Sequence, residues 1–180
     1  MIPFQNIRIP VDPFIEYPKF SPNCASKNQH WLVSSEIFDI GFLDYFKRRS
    51  IIVGESNVLF YTPPHGHLGI HIDGVRLHNK SMLNYVWGSK NHSMIWYQLN
   101  FGVTLESKSF TNGDEYISIS EENVTKIYEH TIDSPTLVKV GIPHSVVNYD
   151  HVGRWCLSID LQLDQGPGID FTDAVRLLKD

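Results

Sequence analysis

Between Ile51 and Leu163 the chain is a succession of short segments rich in Val, Ile, Tyr, Trp and Thr, punctuated by Gly, Asn, Asp and Pro. They run Ile51 to Tyr61, Leu68 to Ile72, Met82 to Trp87, Met94 to Leu99, Val103 to Leu105, Tyr116 to Ile119, Thr125 to Thr131, Thr136 to Val140, Ser145 to Tyr149 and Arg154 to Leu163. β-branched and aromatic residues favour a half-buried pleated surface, and breakers at this spacing end each run before a helix can form. The pattern predicts a mainly β chain whose strands stack as a sandwich or barrel.

The flanks read differently. Pro3, Pro10, Pro13, Pro18 and Pro22 each remove a backbone donor and disfavour helix. Phe4, Ile7, Ile9, Val11, Phe14 and Ile15 are too apolar for a solvated tail, so the first thirty residues predict an extended arm docked along a sheet. Phe38, Phe42 and Phe46 recur every four residues, with Ser34 or Ser35 as a cap and Lys47-Arg48-Arg49 at the end, predicting a helix over Ser35 to Arg49. Gln165-Gly166-Pro167-Gly168 reads as a loop before a short terminal helix from Phe171 to Lys179. The expected organisation is one domain over residues 1–180: an arm and helix (1–50), a β core (51–163), and a closing loop and helix (164–180).

Composition narrows the function classes. At 180 residues, 42% of them hydrophobic, the chain builds one good core. A formal charge of -5 with no basic block argues against nucleic acid. No apolar run approaches the roughly 20 residues that cross a bilayer, and MIPFQNIRIP lacks a secretory pattern, so a cytoplasmic protein without membrane contact is expected. Cys24 and Cys156 are too few for a disulfide framework and read as free thiols.

The chemistry centres on His71-Ile72-Asp73, at the end of an apolar strand. Residues two apart on a strand face the same way, so imidazole and carboxylate converge. Two ligands make no site, and a hydrogen-bonded pair at a loop mouth is the simpler alternative. A third candidate is His144, after Pro143 at the start of a late strand; ten residues on, Arg154 opens the apolar segment Trp155-Cys156-Leu157. A buried guanidinium needs an anion, and that segment offers no carboxylate before Asp160. Strands enclosing a cavity would let His71, Asp73 and His144 take one face of a metal, the two-histidine, one-carboxylate triad of non-haem Fe(II) oxygenases, while Arg154 reaches an anion bound beside it.

The ordered set His71-x-Asp73, His144, Arg154 in an all-β region resembles the Fe(II)/2-oxoglutarate-dependent dioxygenase superfamily. Leu83-Asn84, Trp96-Tyr97 and Pro143-His144-Ser145 are similar to its prolyl 4-hydroxylase-like and aspartyl/asparaginyl β-hydroxylase-like branches, including small phage and bacterial members. The resemblance covers roughly Ile51 to Leu163. It implies a double-stranded β-helix, a cupin-like jelly roll with a few flanking helices. His71, Asp73 and His144 would ligate Fe(II), and Arg154 would grip the distal carboxylate of the cosubstrate 2-oxoglutarate, with Asn84 as a further contact. With O2 as second cosubstrate, the implied reaction is a hydroxylation that gives succinate, CO2 and an oxidised C–H bond, and the substrate stays open between peptidyl side chains and small molecules.

The pattern departs from the family's better-known members. Animal prolyl hydroxylases place a lysine where Arg154 stands, and aspartyl hydroxylases lack the carboxylate that Asp73 supplies, so neither substrate carries over. Nucleic-acid demethylases of the superfamily carry a second arginine soon after the first, whereas none occurs here between Arg154 and Arg176. Two alternatives remain: a cupin-like metalloenzyme that uses the triad without 2-oxoglutarate, and a non-catalytic ligand-binding or structural jelly roll. His65 and His67 share parity with His71, but Pro63, Pro64, Gly66 and Gly69 interrupt the run, so they read as rim residues. His30, His78, His92, His130 and His151 show no partner spacing, and Tyr85, Trp87, Trp96 and Tyr97 read as sheet core. The polar connection Ser107 to Glu122 is a candidate substrate cover.

Overall fold

A computed structural model describes residues 2–14, 22, 25–73, 81–105, 108–109, 115–163 and 168–179. In chain order the elements are β1 (Phe4–Asn6), β2 (Gln29–Val33), α1 (Ile40–Lys47), β3 (Ile51–Val53), β4 (Asn57–Thr62), β5 (His67–Asp73), β6 (Ser81–Gly88), β7 (His92–Leu99), β8 (Lys108–Ser109), β9 (Glu115–Ser118), β10 (Val124–His130), β11 (Thr136–Lys139), β12 (His144–Asn148), β13 (Arg154–Leu163) and α2 (Phe171–Leu178). The chain is mainly β, as its texture predicts.

Two antiparallel sheets form. One has the order β1-β11-β6-β13-β4-β2, with β3 also on β13; the other has the order β10-β7-β12-β5-β9-β8. From β4 to β7 the chain alternates between the sheets strand by strand, stays in the second sheet through β10, and then alternates again to β13.

Side-chain alternation gives the first sheet two apolar faces. Leu83 and Tyr85 of β6, with Leu157, Ile159 and Leu161 of β13, pack under Phe38, Phe42 and Phe46 and under Phe171, Ala174 and Leu178 of α2. Met82 and Val86 point the other way, into a cluster with Met94, Trp96 and Val146 from the second sheet. Register pairs Ser158 with Asn84 and Cys156 with Val86, so Arg154, Cys156 and Ser158 also face the space between the sheets. A third cluster, Ile70, Ile72, Ile117 and Ile119, lies on the second sheet.

Several expectations need adjusting. The segment Ile51 to Tyr61 splits into β3 and β4 because Gly54 lies tight against β13: its N–H bonds the Asp160 carbonyl at 2.8 Å, and a Cβ there would sit 2.3 Å from the Asp160 and Gln162 side chains. The helix begins later than Ser35. Ser34 caps a single 3-10 turn (Ser35–Ile37), and Asp39 then caps α1 by accepting from the Gly41 and Phe42 N–H groups at 2.7 and 3.3 Å, a capping worth about 1 kcal/mol. Val103 to Leu105 is irregular rather than a strand. The described part of the arm docks as expected: β1 pairs with β11, and the Ile7 N–H bonds the Pro135 carbonyl at 2.8 Å, while Ile15 and Pro18 lie outside the described residues. Cys156 is a buried free thiol. Cys24, His78, residues 164–167 and much of the connection expected to cover the site (107 and 110–114) lie outside the described residues. Among the described residues no helix is long and apolar enough to cross a membrane.

Candidate metal centre

A bulge in β5 creates the site. Val146 pairs with Leu68 and His144 with His71, so three residues of β5 span two steps of β12. Before the bulge Leu68 joins the inter-sheet cluster; after it, Ile70 and Ile72 turn to the third cluster. The extra residue therefore swings His71 and Asp73 inward beside His144. His67, upstream of the bulge, stays exposed, while His65 bonds His151 at 3.0 Å between the rims of two loops.

Three side chains converge there. His71 Nε2 is 3.2 Å from Asp73 Oδ1, His144 Nε2 is 3.6 Å from Asp73 Oδ2, and one ligand atom from each residue falls within 4.8 Å of the others. The imidazole Nδ1 atoms point away, each to the carbonyl two residues earlier: His71 to Gly69 at 2.7 Å and His144 to Ile142 at 2.9 Å. A backbone carbonyl accepts only from N–H, so both rings hold their proton on Nδ1 when neutral and direct the Nε2 lone pair at the common point. The chain thus supplies two neutral nitrogens and one carboxylate oxygen, a donor set that suits a first-row divalent cation and is compatible with Fe(II).

The electrostatics of the metal-free cluster are those of ligands sharing a proton. Burial opposes protonation of His71, but the hydrogen bond and charge of Asp73 outweigh it and raise its pKa. Burial pushes Asp73 up, yet the two imidazoles hold it below the usual carboxylate range. His144, with a side chain only 4% exposed, is pushed down to about 4 by burial and then by the neighbouring His71 charge. A divalent cation would replace that shared proton.

Arg154 is 2% exposed, and among the described residues its Nε and Nη2 atoms have no hydrogen-bond partner. Its contact is the Cys156 thiol; burial pulls the arginine pKa down and the thiol up. Asn84, 6% exposed, faces the same space with its Oδ1 unpartnered among the described residues. The five residues singled out from sequence thus fall into a convergent triad and two buried polar groups on the facing sheet. His92 escaped that reading. It is 3% exposed, and its ring lies between the carbonyls of Ser89 and Ile132, the second forty residues away in sequence. No local spacing signals it. Trp96 is fully buried opposite His144 and donates through Nε1 to the Lys139 carbonyl at 3.2 Å, a core role as expected.

No protein-family model matches the sequence, and no curated protein matches it. Among solved structures, the crystal structure of Peruvianin-I, a cysteine peptidase from Thevetia peruviana latex, aligns at a TM-score of 0.38 and 11% identity, covering 89% of this chain and 75% of that one. A likeness that low carries no argument about fold or activity.

Proposed function

We propose that the protein is an Fe(II)- and 2-oxoglutarate-dependent oxygenase, a hydroxylase built on a double-stranded β-helix. The fold reading is supported by strand order: the four-strand sets β11-β6-β13-β4 and β10-β7-β12-β5, with the chain alternating between them, follow the two interlocked Greek keys of a jelly roll. The observation that carries the function is Arg154. An inward guanidinium with two orphaned donors, facing a sheet that carries a His-Asp-His triad, calls for an anion between them.

The groups present fit that cosubstrate. His71, Asp73 and His144 would hold a divalent cation by three ligand atoms and leave room for exogenous ligands beside it. The Nδ1–H bonds to Gly69 and Ile142 keep both rings aimed without further reorganisation. Arg154 offers a planar pair of donors to a distal carboxylate, the geometry in which charge-assisted hydrogen bonds are strongest. Asn84 presents an amide from β6, two strand steps from Val86. Bound iron would supply the redox chemistry, in which 2-oxoglutarate, O2 and a C–H substrate give succinate, CO2 and the hydroxylated product. The substrate is a peptidyl side chain or a small molecule.

Anaerobic titration of the metal-free protein with Fe(II) and then 2-oxoglutarate tests this reading. The expected result is a weak visible charge-transfer band, absent in Asp73→Ala and requiring far more 2-oxoglutarate in Arg154→Ala. Iron binding without the band would favour a metalloenzyme that does not use 2-oxoglutarate. No metal binding would leave a ligand-binding or structural module.

A further inference from the structure

His92 occupies a contradictory position. Its Nδ1 lies 3.2 Å from the Ser89 carbonyl and its Nε2 lies 3.2 Å from the Ile132 carbonyl. A neutral imidazole has one N–H and one lone pair, so it satisfies one carbonyl and turns a lone pair towards the other; only imidazolium donates to both. The ring is nevertheless buried beside a second cation. β6 ends at Gly88, directly paired with Arg154, and the short turn from Gly88 returns the chain to His92. The approach is close: a Cβ on Gly88 would lie 2.3 Å from the Gly153 carbonyl oxygen. Among the described residues the charged groups facing His92 are Arg154 on β13 and Asp133 beyond β10. Burial, then the Arg154 charge, hold the metal-free His92 down to about 4, against the pull of the two carbonyls and Asp133.

We propose that His92 is the charge-compensating partner of the anion site: when a carboxylate docks on Arg154, His92 takes up a proton from solvent and donates to both flanking carbonyls. The inference rests on the cosubstrate reading above and adds a proton to it. A carboxylate on Arg154 offsets the guanidinium charge, the second of the two effects that keep His92 neutral, so that the two carbonyls and Asp133 then have only burial to oppose them. Linkage makes the effect reciprocal, so protonation of His92 tightens anion binding by the same factor. The site would therefore take its anion together with one proton, and His92 acts as a positioning residue that touches neither metal nor cosubstrate carbon.

The test is isothermal titration calorimetry of 2-oxoglutarate into the anaerobic Mn(II)-loaded protein at pH 6, in two buffers of different ionisation enthalpy. Loading the metal first removes the protons of His71 and His144 from the measurement. The buffer dependence gives the protons taken up, expected to be a measurable fraction of one proton per anion in the native protein and near zero in His92→Gln. The native affinity should strengthen several-fold between pH 7.5 and 5.5, whereas that of the variant should stay nearly flat. An NMR titration of the His92 ring in the native protein, with and without the anion, gives the same answer without a substitution: a higher midpoint in the complex. Anion binding without proton uptake, or with an unchanged His92 midpoint, overturns this inference and leaves the cosubstrate reading intact. No anion binding overturns both.

Discussion

Replacing Arg154 with methionine should make the metal-free protein more stable, although Arg154 is the residue on which the anion site depends. The side chain is 2% exposed, and its Nε and Nη2 donors have no partner among the described residues. Each buried donor left unsatisfied costs about 1–3 kcal/mol, and the contact with the Cys156 thiol returns about 1 kcal/mol or less. Methionine keeps most of the apolar stem and removes the charge, so the net gain is about 2–3 kcal/mol. At this chain length that raises the melting temperature by roughly 5–10 °C. Thermal and urea denaturation in a buffer without carboxylate, phosphate or sulfate measures it. Arg154→Lys is the control, because it retains a buried charge and should give no gain. A loss of more than about 1 kcal/mol in Arg154→Met would show that the guanidinium is held by structural partners, and the case for an anion site would fall with it.

Three further outcomes follow from the geometry. His144 and His92 each sit near about 4 when folded and near 6.5 when unfolded, so the unfolded chain binds more protons between those values and metal-free stability must fall as pH falls through that window. Each contributes up to roughly 3 kcal/mol; the raised His71 acts in the opposite sense, adding stability below 6.5 that is lost as pH rises through its folded value. Urea midpoints from pH 7.5 to 4.5 check this, and a flat or rising profile on acidification refutes it. Gly88→Ala should cost at least about 2 kcal/mol, because φ is +88° and the new Cβ meets the Gly153 backbone oxygen at 2.3 Å, whereas Gly69→Ala meets nothing within 4 Å and should be near neutral by thermal denaturation. Deleting Gly69 should leave the triad able to bind a divalent metal, because it removes the extra residue and lets two steps of β5 face two of β12 with Leu68 still opposite Val146 and His71 still opposite His144; loss of Co(II) binding, read by its visible spectrum, would refute the bulge argument.

The parts of the molecule legible in sequence are those set by local pattern. Arg154 to Leu163 is the strand expected, because alternation there is continuous and nothing interrupts it. The terminal helix from Phe171 and the docked arm carry their own apolar faces and Pro residues, and both fall where expected. The triad was visible because His71 and Asp73 sit two apart, but the reason they face inward was hidden: parity from Leu68 would have turned them outward, and only the pairing with β12 reveals the extra residue. The break at Gly54 likewise depends on Asp160 and Gln162, more than a hundred residues away. His92 lay beyond sequence reasoning altogether, since its two carbonyls and its cationic neighbour come from separate turns and a strand.

The most direct measurement of the central claim is an anomalous diffraction map from crystals grown anaerobically with Fe(II) and 2-oxoglutarate. The account predicts one metal peak about 2.0–2.3 Å from His71 Nε2, His144 Nε2 and an Asp73 carboxylate oxygen, with the anion running from that metal to the Arg154 guanidinium. A metal at another position, or a metal on the triad with Arg154 still unpaired beside an absent anion, would contradict it.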